Sequence, residues 1–217
     1  LIFESNGNTI TKDHIEKFPL NSKPDAQTLK DCNNIFAFSI KDYRRRFLKT
    51  FLRVKSLEIS RNLPGTLTFK VSERIPVAKL EMQRNSLELD AEAISLGGWR
   101  HTRLPVILGY PVENPAPGMS FKDTPVMDAL EIINSCNKLE FSNKLKVRSI
   151  AVGTRDKIAL QLESGEKIFL AWKNQGDGTI ESQKNLEEKL RKLLDILLDE
   201  KKYSEIDLRL DKYAYAK

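Results

Sequence analysis

The fold turns on residues 55–80, KSLEISRNLPGTLTFKVSERIPVAKL. In its first half Leu57 and Ile59 alternate with Val54, Ser56, Glu58 and Ser60, so a β-strand here faces a core with the first pair and water with the second set. Pro64-Gly65 supplies the turn, proline fixing φ and glycine permitting φ > 0. The return strand places Leu67, Phe69 and Val71 on one face and Thr66, Thr68 and Lys70 on the other. The hairpin then runs into Glu73-Arg74-Ile75-Pro76, a charged pair and a proline where an enzyme would place its chemistry.

Upstream, residues 1–4 read as a short strand ended by the turn Asn6-Gly7-Asn8. Thr11 caps a helix through His14, Ile15 and Phe18 that Pro19 stops. Ile35-Phe36-Ala37-Phe38 leads into a second helix over residues 41–50, where Tyr43, Phe47 and Phe51 recur at helical spacing as a core stripe. Arg44, Arg45 and Arg46 are assigned to its wet face, with a partner or lipid-headgroup contact as the alternative. Strand, helix, helix, strand, strand makes a small α+β unit with its helices on one sheet face.

Past Leu80 the texture is richer in β-strand. Residues 87–90, 94–96 and 104–108 are strand candidates, followed by a proline-rich loop over 110–118. Thr124 caps a helix carrying Val126, Leu130 and Ile133, with Pro125 at its first position. Strands follow at 147–152, 157–162 and 167–172, the last two joined as a hairpin. A long amphipathic helix over 179–201 shows Leu186, Leu190, Leu193, Leu194 and Leu197 on one stripe, while Glu187, Glu188 and Lys189 read as its solvated face. The chain closes with a strand over 205–210 and the tail Tyr213-Ala214-Tyr215. The boundary between the halves falls in a continuous β connection at residues 77–80.

The 217 residues are 40% hydrophobic and 30% charged, enough apolar surface for two cores and no run approaching a membrane span. The chain starts at Leu1, inside a strand-like run and without methionine, which leads us to expect that an upstream targeting or membrane segment has been removed. The formal charge of +6 could suit nucleic acid or an anionic membrane, but most basic residues are interspersed with acids and no nucleic-acid recognition motif accompanies them. Nucleic acid is therefore not an expected partner. Cys32 and Cys136 lie in different halves without partner histidines at metal-ligand spacing and read as buried free thiols, with one disulfide as the alternative. His14 and His101 are equally isolated, so neither a metal nor a cofactor is expected.

No nucleophile, base and oxyanion donor fall together. Ser164 and Lys167 form a Ser-x-x-Lys, but in a hairpin turn and without its companion motifs. The acids Asp90, Glu92, Glu205 and Asp207 are placed in solvent by strand alternation. What remains is binding. The terminal strand carries Asp207, Arg209 and Asp211 on one face with Ile206, Leu208 and Leu210 on the other, and at a sheet edge its free backbone groups would accept a partner strand.

The segments Val54-Lys55-Ser56-Leu57-Glu58-Ile59-Ser60-Arg61, Leu63-Pro64-Gly65-Thr66-Leu67 and Val71-Ser72-Glu73-Arg74-Ile75-Pro76-Val77-Ala78 together resemble the hairpin of the bacterial cell-division family FtsQ/DivIB. Leu104-Pro105-Val106-Ile107-Leu108-Gly109 is similar to that family's LP-x-x-x-G segment, residues 158–170 to its strand, glycine turn and strand, and Ile206-Asp207-Leu208-Arg209 to its closing IDLR strand. Two places depart from the family. Asp90 is followed by Ala91-Glu92-Ala93 in place of Asp-x-x-Gly, so that turn is expected to differ; and Leu210 and Lys212-Tyr213 replace an aromatic and a small pair.

The resemblance implies an α+β chain: a POTRA domain (β-α-α-β-β) over residues 1–76, then a mixed or antiparallel β-domain with flanking helices over 77–217. It implies the extracytoplasmic, periplasmic part of a single-pass inner-membrane protein, anchored by an N-terminal transmembrane helix missing here. Such a protein is not an enzyme but a divisome scaffold that recruits FtsB/FtsL-type partners, and other septal membrane proteins, by strand addition at its closing strand. The expected partner residues are Arg209, Leu210, Lys212, Tyr213 and Tyr215, with Arg155 as an outlying contact. Two rival readings are a POTRA-type chaperone module of an outer-membrane assembly or secretion protein, and a cell-wall enzyme.

Overall fold

The computed structural model describes the chain apart from residues 24–25, 33, 37, 83–85, 98–102, 139–142, 154–156, 200–202 and 211–213. The expected sites Arg155, Lys212 and Tyr213, together with His101 and Asp211, fall outside the described residues. The chain is mixed α+β and divides into two compact units, Leu1–Ile75 and Pro76–Lys217.

In the first unit β1 (Ile2–Ser5) is followed by α1 (Lys12–Lys17), α2 (Ile40–Thr50), β2 (Val54–Asn62) and β3 (Thr66–Glu73). β3 lies in the middle of the three-stranded sheet, parallel to β1 and antiparallel to β2. Ser39 caps α2 by accepting the Asp42 amide at 3.3 Å. Tyr43 and Phe47, four residues apart, meet Phe18 edge-on at 5.2 and 5.1 Å between ring centroids. The Tyr43 hydroxyl donates to the Ile15 carbonyl at 2.8 Å, and burial pushes its pKa upward, keeping the proton that makes this bond.

Three expectations are corrected here. Val54, assigned to the wet side, is buried, because a bulge between Val54 and Ser56 resets the alternation. Gly65 does not take a left-handed conformation; the Leu63–Pro64 peptide is cis. Arg46 is not on the wet face: its guanidinium donates to the Pro19 carbonyl at 3.0 Å and stacks 5.4 Å over Phe18, tying α2 to the end of α1.

The charged exit of the hairpin is structural. Glu73 is buried, and its carboxylate accepts the Ile10 amide at 2.9 Å, the Thr9 amide at 3.0 Å and the Ser5 hydroxyl at 3.3 Å. It thus closes the loop between β1 and α1 from within. The loop wraps the carboxylate so closely that a Cβ on Gly7 would stand 2.4 Å from its Cδ.

The second unit is built on one eight-stranded sheet. Its strands are β4 (Pro76–Glu81), β5 (Ser86–Asp90), β6 (Val106–Leu108), β7 (Val147–Val152), β8 (Ile158–Leu162), β9 (Lys167–Leu170), β10 (Glu205–Leu208) and β11 (Tyr215–Ala216), with α3 (Pro125–Cys136) and α4 (Ile180–Leu198) between them. The spatial order is β11-β10-β9-β8-β7-β6-β4-β5, with parallel pairs at β4/β6, β6/β7 and β9/β10. Thr124 and Thr179 cap the helices by accepting amides of their first turns. The row Ile150, Leu160, Ile168 and Ile206 runs across four strands into the core shared with Ile133, Leu186 and Leu190. Alternation then fixes the other face, where Ala151, Ala159, Phe169, Asp207 and Tyr215 form the adjacent row.

Asp90, assigned to solvent, is buried: its Oδ1 accepts the amides of Glu92 and Ile94 at 3.0 and 2.8 Å. Ala93, in that turn, takes the left-handed conformation at φ 60° that glycine adopts without strain. Cys32 and Cys136 are free thiols in separate units, the first half-buried and the second buried.

Candidate partner-binding edge

The site begins with the length of β10. An uninterrupted strand over 205–210 would point Leu210 inward beside Ile206 and Leu208. Instead β10 stops at Leu208, and Leu210 is 68% exposed. Two interactions end the strand. The Arg209 amide is taken by Asp207 Oδ1 at 3.0 Å, a local side-chain turn. The Leu208 carbonyl accepts from the Lys189 ammonium on α4 at 2.8 Å, and the Arg209 carbonyl lies 3.5 Å from the same nitrogen.

Lys189 is therefore not part of a solvated face. It is 3% exposed, and its stem lies among the leucines of the α4 stripe. The signal was in the spacing: Lys189 follows Leu186 by three residues and precedes Leu193 by four, so it shares their side of the helix. An ammonium there must find acceptors, and the carbonyls at the end of β10 supply them.

Released from the ladder, the chain returns as β11, which the sequence did not reveal as a strand. β11 pairs antiparallel with β10, Ala216 opposite Ile206 and Tyr215 opposite Asp207. This corrects the expectation that the 205–210 strand forms the free edge: β10 has β9 on one side and β11 on the other, and the edge passes to β11. Glu205 and Lys217 exchange both backbone bonds, at 3.1 and 2.9 Å. By antiparallel alternation the next pair, Ile206 and Ala216, is not hydrogen-bonded, so the N–H and C=O of Ala216 point away from β10. Among the described residues no strand pairs with that outer side.

Side chains flank this open backbone. Asp207, Arg209, Leu210 and Tyr215 line one open groove, with Tyr215 71% exposed. Arg209 donates to both Asp207 oxygens, its Nε at 3.0 Å to each, and this bonding holds the Asp207 carboxyl below its ordinary pKa. The Asp207 carboxylate in turn raises the Arg209 pKa. Lys157 sits 4.4 Å above the Phe169 ring in the same row of the sheet face. The structure thus brings Arg209, Leu210 and Tyr215 together around one groove.

A second cleft, at the start of α3, is lined by Lys122, Thr124, Asp128 and Gln175. Gln175 donates to Asp128 at 3.2 Å, and burial raises the pKa of nearby Glu131. No three metal-ligating side chains converge there or elsewhere among the described residues. Ser164 bonds Glu166 across its hairpin turn. No helix among the described residues is long and apolar enough to cross a membrane. Compared with known proteins, the chain matches no protein-family model and no curated protein.

Proposed function

We propose that this chain is the extracytoplasmic part of a non-enzymatic scaffold of bacterial cell division of the FtsQ/DivIB type. The first unit is its POTRA domain and the second its β-domain, carried on a single-pass inner-membrane protein. The order β-α-α-β-β of the first unit supports the POTRA reading. The observation that carries the proposal is the outward-pointing backbone of Ala216 on β11, beside the exposed Leu210 and Tyr215. An FtsB/FtsL-type partner adds a strand to this edge, gaining backbone hydrogen bonds from Ala216 and specificity from the groove. Arg155, Lys212 and Tyr213 belong to the proposal on sequence alone.

The test is capture of the extracytoplasmic segments of an FtsB/FtsL-type pair by this chain. Ala216→Pro removes an outward donor while leaving the Tyr215 and Lys217 bonds to β10 in place, so it should weaken capture with circular dichroism unchanged. Deleting residues 214–217 removes β11. Loss of capture supports addition onto β11, and stronger capture supports replacement of β11 by the partner strand. Equal capture by wild type, Ala216→Pro and the deletion would refute a role for this edge.

A further inference from the structure

The net charge of the chain is not shared between the two units. Residues 1–75 contain 14 Lys and Arg against 8 Asp and Glu, whereas residues 76–217 contain 22 of each. The whole excess of +6 therefore belongs to the first unit. It is concentrated further: residues 41–55, which contain α2, carry seven basic residues and one acid, Asp42. Arg46 is inward and Arg45 is paired with Asp42 at 2.5 Å. Lys41, Arg44 and Lys49 are exposed.

These positions share a side of the helix. Residues 41, 44, 45, 48 and 49 recur at helical three- and four-residue spacing, opposite the buried Tyr43 and Phe47. Leu48 lies within that basic stripe but packs against the core of the unit, and Leu52, half-buried, follows just past the end of the helix at Thr50. The exposed residues of α2 itself are Lys41, Arg44, Arg45, Lys49 and Thr50, and the Thr50 hydroxyl is already bonded to the Arg46 carbonyl. The side chains left free on this face are thus cationic, and cations bind phosphate whether a lipid or a nucleic acid carries it. A basic stripe with a partly exposed leucine just beyond its end suits a plane of phosphates above an apolar layer.

We propose that the α2 face of the first unit docks on an anionic bilayer surface, with Lys41, Arg44 and Lys49 against lipid phosphates and the half-buried Leu52, just past the helix, at the acyl boundary. The proposal stands on charge and exposure and does not depend on the strand-addition reading. Each basic side chain near such a surface changes binding about fivefold.

The experiment is co-sedimentation of the whole chain with vesicles of phosphatidylcholine alone or with about 30% phosphatidylglycerol. Wild type should bind only the anionic vesicles, and binding should fall as salt shortens the Debye length below ~10 Å. The triple variant Lys41→Gln, Arg44→Gln, Lys49→Gln should lose about a hundredfold in partitioning, with unchanged circular dichroism. Lys144→Gln, Lys146→Gln, Lys184→Gln removes the same charge from exposed positions of the second unit and should bind like wild type. Equal losses in both triple variants, or equal binding to neutral vesicles, would overturn the proposal. So would a short DNA duplex that strips the protein from vesicles through the same three residues, because the ligand would then be nucleic acid.

Discussion

Replacing Glu73 by alanine tests whether the charged residue at the hairpin exit is architecture. Glu73 is 8% exposed, and its carboxylate takes the amides of Thr9 and Ile10 and the hydroxyl of Ser5. Its removal strands at least two backbone donors. At about 1–3 kcal/mol for each donor left unpaired, Glu73→Ala should cost the first unit roughly 2–6 kcal/mol. A domain of this size is stable by only about 4–11 kcal/mol, so the variant should approach the unfolding threshold. Glu73→Gln keeps one acceptor oxygen but turns an N–H₂ toward the amides, and should lose about half as much.

The two units can be read separately in one chain. Both tryptophans, Trp99 and Trp172, belong to the second unit, so their fluorescence in urea follows that unit alone. Hydrogen exchange of the amides in residues 6–10 follows the first. Glu73→Ala should collapse protection in residues 6–10 while leaving the tryptophan transition unmoved. Gly7→Ala should act through the same contact, since its Cβ would meet the carboxylate at 2.4 Å. In the Glu73→Ala background that substitution should become nearly free, a coupling a double-mutant cycle measures directly. A loss below about 1 kcal/mol for Glu73→Ala, or additive costs for the pair, would refute the reasoning.

Lys189→Met leaves the Leu208 carbonyl without its ammonium donor and should destabilise the second unit by about 1–3 kcal/mol, followed by tryptophan fluorescence in urea; a neutral result would mean that this side of α4 is wet. Asp207 titrates below its ordinary value of 3.8, so its bond to the Arg209 amide stabilises the strand end fully above that pH and is lost as pH falls through the lower folded value. Exchange of the Arg209 amide measured at stepped acidic pH should accelerate in that window, and protection unchanged down the whole range would contradict it. Burial pushes the Cys136 thiol up to about 12, so a thiol reagent near neutral pH should label Cys32 first and Cys136 only after the second unit opens.

Periodicity carried most of the fold. Alternation located the hairpin of β2 and β3, and Thr11, Thr124 and Thr179 marked helix starts, because each is set by neighbours within a few residues. What escaped were features decided across distance. Val54 changed face because a bulge inserts a residue, which alternation cannot count. Arg46 turned inward because Phe18 and the Pro19 carbonyl, 27 positions away in sequence, offered a ring and an acceptor. Asp90 went inward because its own turn supplied two amides.

The binding edge was misplaced for a related reason. A strand written as Glu205 to Leu210 shows unbroken alternation, yet it ends at Leu208 because an amine from α4 and a carboxylate two residues back claim the next backbone groups. Only then can the chain double back and hand the edge to Tyr215 and Ala216, a segment too short to show a period of its own. The shortness has a consequence. Long exposed edges recruit any strand, whereas a two-residue edge gives few backbone bonds and must draw its affinity from side chains. Leu210 and Tyr215 stand exposed around the groove beside it, so an edge too small to be indiscriminate is flanked by the side chains needed to choose a partner.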